Sequence, residues 1–384
     1  MPAVSVVIPT YNRRKRVEQA VASVLAQTFH DFELLVIDDG SVDGTRQSLA
    51  GLDPRLHYVW QDNCGPAAAR NAGIRLSAAP IVAFLDADNR WLPDHLEVIV
   101  AVLARFPEAV LASTCPRFEI SGDARPDDAE LIDPLRAAVL QNKFGYVSCS
   151  AARLQALRDL GGFDEQLLVG EDDDMWLRLA MAGPFAMLKR RTVIRRHTRG
   201  GLRDWGRMSG GYTEANTRSL ERALAELKRR PSGPDTEELI VRARGQLQVL
   251  AAVRALERRD LPGARAGLAE ACVLLPELAS NPEPIMTQLW KSAGDPTELR
   301  RRVEGAAAAM PDPRCHSALY LRASAAGLAV TRGRLDKAAR LVLRQPHLMR
   351  RDFIARAHRP LLKVATNHIL EAVRSSRESP LARS

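Results

Sequence analysis

Four short apolar runs, separated by stretches of helical spacing, restrict the folds open to this chain more than any other feature. Residues 4–8 (Val4-Ser5-Val6-Val7-Ile8) stop at Pro9, residues 32–37 stop at Asp38, and residues 56–60 and 81–85 repeat the form, the last ending at Asp86. Runs of that length and apolarity are expected of parallel strands buried on both faces. Between them, residues 14–27 set Val17, Ala20, Val21, Val24 and Leu25 on one helical stripe, and residues 45–52 and 66–78 also read as helices. Strand and helix alternating in this way predict a doubly wound α/β sheet. Ligands of such sheets gather beyond the carboxyl ends of the strands. Pro9-Thr10-Tyr11-Asn12, Asp38-Asp39-Gly40-Ser41 and Asp86-Ala87-Asp88 all fall there.

After Trp91 the pattern is less regular. Residues 92–106 read as a helix and residues 118–133 as a polar, acidic loop. Gly161-Gly162-Phe163 forms a turn ahead of Glu171-Asp172-Asp173-Asp174, which opens an amphipathic helix, and residues 192–196 form a last strand before His197. A chain of 384 residues exceeds what one core organises, so two domains are expected. The glycines at 200, 201, 206, 210 and 211 mark the boundary: an α/β domain over residues 1–205 and an all-α domain over residues 206–384. Within the second, Asp260-Leu261-Pro262-Gly263-Ala264-Arg265-Ala266 and Arg334-Leu335-Asp336-Lys337-Ala338-Ala339-Arg340 look like two related turn-to-helix signals. They resemble tetratricopeptide hairpins, with an irregular helical bundle as the alternative.

Charge divides at the same place. The net charge is +9 overall, but residues 1–205 carry 24 basic against 27 acidic side chains and residues 206–384 carry 31 against 19. The acidic part suits cations, and the basic part suits an anionic partner. In residues 348–370, Arg350, Arg351, Arg356, Arg359 and Lys363 interleave with apolar residues, which suits docking on an anionic membrane surface, with a plain solvated basic surface as the alternative. The aromatic interleaving of strand binders is missing, so nucleic acid is not expected as a partner. No apolar stretch reaches the roughly 20 residues of a bilayer span. Five dispersed cysteines without a Cys-x-x-Cys pair read as reduced thiols. A cytoplasmic enzyme, peripheral at the inner membrane face, is the expectation.

Three clusters carry candidate chemistry. Asp86 and Asp88 flank one alanine, and in extended chain residues i and i+2 face the same way, so both carboxylates can address one cation. Hard oxygen ligands suit manganese or magnesium, which keep positions open for substrate phosphates. Asp39 lies in an Asp-Gly sequence that also serves as a plain turn or as an acidic pocket of a receiver-like domain. Tyr11 favours a ligand site, because an aromatic at one strand end beside a carboxylate from the next offers a stacking face and an acceptor for a base N–H. Arg70 offers a fork of donors to a diphosphate, with an exposed helix arginine as the alternative. Four adjacent carboxylates at 171–174 repel one another unless a function offsets the cost, although helix starts also favour acidic residues. A carboxylate there suits a general base. His197 is a candidate metal or phosphate ligand, with a structural histidine as the alternative.

Together these runs resemble the family 2 glycosyltransferases of GT-A fold. The resemblance is carried by residues 4–12, by Val36-Ile37-Asp38-Asp39-Gly40-Ser41-x-Asp43, and by Asn63-x-Gly65-x-x-x-Ala69-Arg70-Asn71-x-Gly73. Phe84-Leu85-Asp86-Ala87-Asp88 continues it, followed by Gly161-Gly162-Phe163-Asp164-Glu165 and then Gly170-Glu171-Asp172-x-Asp174-x-Trp176-Leu177-Arg178. It covers roughly residues 1–205. The resemblance implies a nucleotide-sugar site built from Pro9, Thr10, Tyr11, Asn12, Asp39, Arg70, Asp86 and Ala87. Tyr11 would stack on the base, Asp39 accept its N–H, Arg70 approach base or diphosphate, and Asp86 serve the ribose and metal region. It further implies Asp88 as the direct metal ligand with His197 nearby, and Asp172 as the base of an inverting transfer supported by Glu171. Asn89 departs from the pattern, since an acidic residue commonly follows the triplet.

The expected activity is a single, inverting, metal-dependent hexosyl transfer from a nucleoside-diphosphate sugar, with a UDP-linked donor favoured, to a glycan or lipid-linked acceptor. The Gln-x-x-Arg-Trp signature of processive synthases is absent, which favours single addition. Two other classes compete: a donor-binding module without catalysis, its helical half an interaction scaffold, and a nucleotidyltransferase. Intact Asp88 and Asp172 oppose the first. The lack of glycines in residues 9–14 opposes the second.

Overall fold

The computed structural model describes residues 1–114, 124–141, 146–167, 169–195, 211–230, 233–279, 284–285, 288–289 and 296–311. The sequence-predicted alternation is present. It runs β1 (Val4–Thr10), α1 (Arg14–Leu25), β2 (Phe32–Asp38), α2 (Thr45–Leu49), β3 (Leu56–Trp60), α3 (Pro66–Leu76) and β4 (Ile81–Phe84). β1 lies between β2 and β4, and β3 lies outside β2, all parallel. The chain thus steps outward from β1 to β3 and then returns to the other side of β1, which makes the β1/β4 boundary the topological switch point. Val4, Val6, Val7 and Ile8 are fully buried, as expected of a central strand covered on both faces. α1 buries Val17, Ala20, Val21 and Val24 against that sheet, the stripe its spacing predicted.

One close approach explains a glycine of the α3 motif. A Cβ on Gly73 would sit 2.4 Å from Cγ1 of Val7, so α3 lies on β1 at a distance only glycine permits.

Beyond β4 the sheet departs from an all-parallel doubly wound form. β5 (Arg90–Trp91), α4 (His95–Arg105), β6 (Leu111–Ser113), β7 (Glu130–Ile132), α5 (Pro134–Gln141), β8 (Ser150–Arg153), α6 (Leu154–Asp159), α7 (Glu171–Ala182), β9 (Phe185–Met187) and β10 (Val193–Ile194) follow. The eight-stranded sheet has the order β3-β2-β1-β4-β8-β6-β9-β7, with β8 antiparallel to both β4 and β6. The acidic stretch read as a loop contains β7, paired antiparallel with β9. The expected last strand joins β5 instead, Val193 opposite Trp91. Strands of three or four residues, rich in Ala and Ser, carry no readable period; pairing with neighbours makes them strands.

Packing divides the chain into two compact units: Met1–Arg203 with Glu221–Pro231, and Asp204–Leu220 with Ser232 onward. The cut is therefore double, because the C-terminal part of α8 (Gly211–Leu227) counts with the α/β unit. Arg222 pairs there with Asp174 and Asp164, and Arg230 with Asp133 at 3.1 Å. The second unit holds α9 (Pro234–Glu257), α10 (Leu261–Leu274) and α11 (Pro296–Ala309) around a core including Val253, Leu256, Leu268, Val303 and Ala306. Asp260 caps α10, accepting from the Gly263 N–H at 2.9 Å. The second turn-to-helix signal (334–340), the basic segment 348–370 and His197 lie outside the described residues. Among the described residues no helix is long and apolar enough to cross a membrane. Cys64, Cys149 and Cys272 are free thiols.

Candidate active site

Three parallel strands deliver the predicted residues to one edge. Thr10 stands opposite Asp38 in the β1–β2 register, and the Asp39 N–H donates to the Thr10 carbonyl at 2.9 Å. Leu85, just past β4, donates to the Val7 carbonyl at 3.0 Å, which places Asp86 beside the end of β1. Tyr11 is 48% exposed, unusual for an aromatic at the end of a fully buried strand, and so is available for stacking. Asn12 has φ 48°, a left-handed turn tied to the β2–α2 loop. Its N–H donates to Ser41 Oγ at 2.7 Å, and its Oδ1 accepts from the Val42 N–H at 2.9 Å. Thr10 Oγ1 is buried and has no hydrogen-bond partner among the described residues.

Asp39 is buried, and its carboxylate organises the loop before α3. It accepts from Gln61 Nε2 at 2.7 Å, the Cys64 N–H at 2.9 Å and the Gly65 N–H at 2.8 Å. Its neighbour Asp38 accepts from Ser41 N–H and from the Tyr58 hydroxyl, whose pKa is pushed up by burial and by the Asp38 carboxylate. Neither Tyr58, in the middle of β3, nor Gln61, just past it, carried a sequence signal beyond its position.

The triplet Asp86-Ala87-Asp88 meets two arginines of different kinds. Arg70, only 7% exposed, donates to Asp86 Oδ1 at 2.9 Å and to Glu171 Oε1 at 2.8 Å, and its guanidinium lies 5.4 Å from the centre of the Phe163 ring. Burial opposes its charge, but the fields of Glu171, Asp86 and Asp172 outweigh that and raise its pKa above the ordinary arginine value. The residue expected to approach base or diphosphate is therefore already held between the triplet and α7. Arg13, which the sequence reading did not single out, donates to Asp88 Oδ2 at 2.8 Å with its side chain about one third in solvent.

Asn89 and Ser148 brace the triplet. Ser148 Oγ accepts from the Asp86 N–H at 3.1 Å and from Asn89 Nδ2 at 2.8 Å, and its carbonyl accepts from Trp91 Nε1 at 2.7 Å. Trp91 stacks on His95 at 4.2 Å between ring centres. Burial lowers the His95 pKa to about 3, so that ring is neutral, and its Nδ1 is hydrogen-bonded to Thr192 Oγ1 at 2.7 Å. Ser148 sits in a segment with no readable pattern, and no signal in the sequence marks it.

The four carboxylates of residues 171–174 form the first turn of α7, after Gly170 at φ 76°. Their mutual repulsion is offset individually. Glu171 is spent on Arg70. Asp174 is fully buried and pairs with Arg178 at 2.8 Å and with Arg222. Asp172 and Asp173 are half-buried. Upstream, Asn71 binds the turn before α7, donating to the Phe163 carbonyl at 2.9 Å and to Glu165 at 2.8 Å.

Among the described residues, no group of three or more His, Cys, Asp and Glu side chains is disposed to hold a metal unaided. Contrary to the expectation of extended chain, the backbone turns at the triplet, the Asn89 N–H donating to the Asp86 carbonyl at 2.9 Å, so the same-face alternation of a strand does not apply. The donor chemistry that is present, two nearby carboxylates with the Asp86 side chain 37% exposed, still fits a hard dication that brings its remaining ligands as water and phosphate oxygens.

A mixed sheet whose switch point gathers an exposed aromatic, paired carboxylates and two arginines defines the broad class of α/β domains with a ligand site at their strand ends. More particularly, residues 5–160 match the model of glycosyl transferase family 2, and this segment of the chain belongs to that family. The chain is 43% identical over 100 residues to the putative teichuronic acid biosynthesis glycosyltransferase TuaG of Bacillus subtilis (strain 168), covering 25% of this chain and 40% of the relative. It is 39% identical over 122 residues to validoxylamine A glucosyltransferase of Streptomyces hygroscopicus subsp. jinggangensis (strain 5008), covering 30% of this chain and 29% of the relative. It thus spans less than half the length of these curated relatives. The solved structure of S. aureus TarS 1–349 in complex with UDP-GlcNAc aligns with a TM-score of 0.53 at 16% identity, over 84% of this chain and 91% of that one. That likeness establishes the GT-A-type fold.

Proposed function

We propose that the chain transfers one sugar residue from a nucleoside-diphosphate donor to a hydroxyl of a glycan or lipid-linked acceptor, with inversion at the anomeric carbon. The observation that carries this reading is the Asp86–Arg70–Glu171 bridge, which ties the triplet on β4 to the start of the helix bearing Asp172. Donor binding falls to Tyr11, stacked on the base, and to Asp39, whose carboxylate faces the loop around the base. The UDP-GlcNAc bound by TarS, a protein of the same fold, makes a uridine nucleotide the first donor to try. Manganese or magnesium at Asp88, with Asp86 beside it, would neutralise charge developing on the departing diphosphate. Asp172 takes the proton of the acceptor hydroxyl, whose oxygen attacks the anomeric carbon on the face opposite the diphosphate. The bond to the diphosphate breaks as the glycosidic bond forms, which accounts for inversion. Glu171 supports Asp172 indirectly, by holding Arg70.

Thermal shift with nucleoside diphosphates tests the donor side. Uridine diphosphate with manganese is expected to raise the melting temperature of the full chain, as mass action on the native state requires. Asp88→Asn should remove the manganese-dependent part of that rise. An equal rise in both proteins would sink the placement of the cation at the triplet.

The basic second part belongs to the same reading as an anchor at an anionic membrane, where lipid-linked acceptors reside. Co-sedimentation with phosphatidylserine vesicles should fall when residues 341–384 are removed. Equal recovery with neutral vesicles would dismiss the anchor.

A further inference from the structure

Arg13 and a divalent cation require the same oxygen-bearing group. We propose that Arg13 is a cation-exchangeable partner of Asp88: its guanidinium holds the carboxylate, yields it to the arriving dication, and turns to the diphosphate that accompanies the ion. This inference rests on the reading of Asp88 as the cation ligand.

The backbone supports a swinging side chain on a fixed base. Asn12, left-handed and hydrogen-bonded to Ser41 and Val42, sets where the chain leaves β1. Arg13 then caps α1, its carbonyl accepting from the N–H groups of Arg16 and Val17, each at 2.9 Å. Only the side chain crosses to the end of β4, where it meets Asp88 across 75 residues of sequence.

The contrast with Arg70 shows why one arginine exchanges and the other does not. Arg70 is 7% exposed, bridges two carboxylates and lies against Phe163. Moving it would strand the buried carboxylate of Glu171. Arg13 is 32% exposed, and among the described residues its carboxylate partner is Asp88, so solvent rehydrates the guanidinium as it leaves. A dication replacing a monocation at Asp88 raises the positive charge of the site when a diphosphate enters. The released guanidinium remains within a side chain's reach of that diphosphate and offers it a bidentate fork. Asp88 is thus neutralised at every stage, and the donor diphosphate gains a second positive group that a surface arginine would not supply.

Manganese binding to the full chain, without nucleotide, separates the possibilities; it is read by electron paramagnetic resonance of the free ion. Arg13→Gln is expected to bind manganese about threefold to fivefold more tightly than the wild type, the size set by removing a partly exposed ion pair. Uridine diphosphate binding with saturating manganese should weaken in the same variant, because the second positive group is gone. Arg13→Lys, which keeps the charge without the fork, should leave manganese binding near wild type and weaken the nucleotide less. Manganese binding unchanged or weaker in Arg13→Gln overturns the exchange. Asp88→Asn distinguishes the underlying reading: if it binds manganese as well as wild type, the cation's placement at Asp88 fails. If it loses manganese while Arg13→Gln gains nothing, only the exchange fails.

Discussion

Asp172→Asn is expected to slow sugar transfer by about 10²- to 10⁴-fold, the range for loss of a positioned general base, with little change in melting temperature or donor binding. The four carboxylates at the start of α7 differ in what each already does. Glu171 and Asp174 are buried and committed to arginines, so their loss would disturb the fold along with any chemistry. Asp172 is half-buried and lies within the field of Arg70, near enough to raise that residue's pKa. Replacing its charge by an isosteric amide removes the base and leaves the first turn of α7 intact. Release of nucleoside diphosphate in the presence of acceptor gives the rate, and a melting curve gives the control. A variant as active as wild type would move the base elsewhere, with half-buried Asp173 the next residue to test.

Arg70→Met should lower unfolding stability by about 3–5 kcal/mol, the cost of leaving a buried partner charge unpaired. Most of that comes from the Glu171 arm, since the Glu171 side chain is 12% exposed. Asp86, at 37%, is rehydrated when its partner goes. Arg75→Met on the exposed side of the same helix is the comparison and should stay within about 0.5 kcal/mol of wild type. Urea titration of the three proteins measures the difference. Arg70→Lys should recover only part of the loss, because one ammonium nitrogen cannot occupy the places of both Nη1, which faces Glu171, and Nη2, which faces Asp86. A loss no larger than that of Arg75→Met would show that the bridge contributes nothing and that α7 is held by its apolar face alone.

Much of the α/β unit was legible because its strands are buried on both faces. Residues 4–8, 32–37 and 81–85 carry so few polar side chains that few other structures accommodate them, and each strand was found within two residues of its expected end. Tyr11, Asp39 and Asp86 were legible for a related reason: each lies within three residues of the end of such a run, so the strand's end is the residue's address. The short strands past β4 were not legible. Ser150–Arg153 becomes a strand by lying between β4 and β6, and nothing in Ser-Ala-Ala-Arg states that. The acidic run at 171–174 was seen, yet how its charges are compensated was not, because Arg70, Arg178 and Arg222 reach it from 101, 4 and 48 residues away.

The sequence alone determined the alternation of strands and helices, the family of the first part of the chain and the edge at which its polar residues gather, since these depend on local apolarity and spacing. The tertiary structure decided which charges meet. It gave Arg70 to Asp86 and Glu171, Arg13 to Asp88, and Ser148 to the triplet's backbone. Ion pairs and hydrogen bonds act over a few ångströms of space whatever the distance along the chain. The roles of the two arginines beside Asp86-Ala87-Asp88 follow from how deeply the fold buries each one.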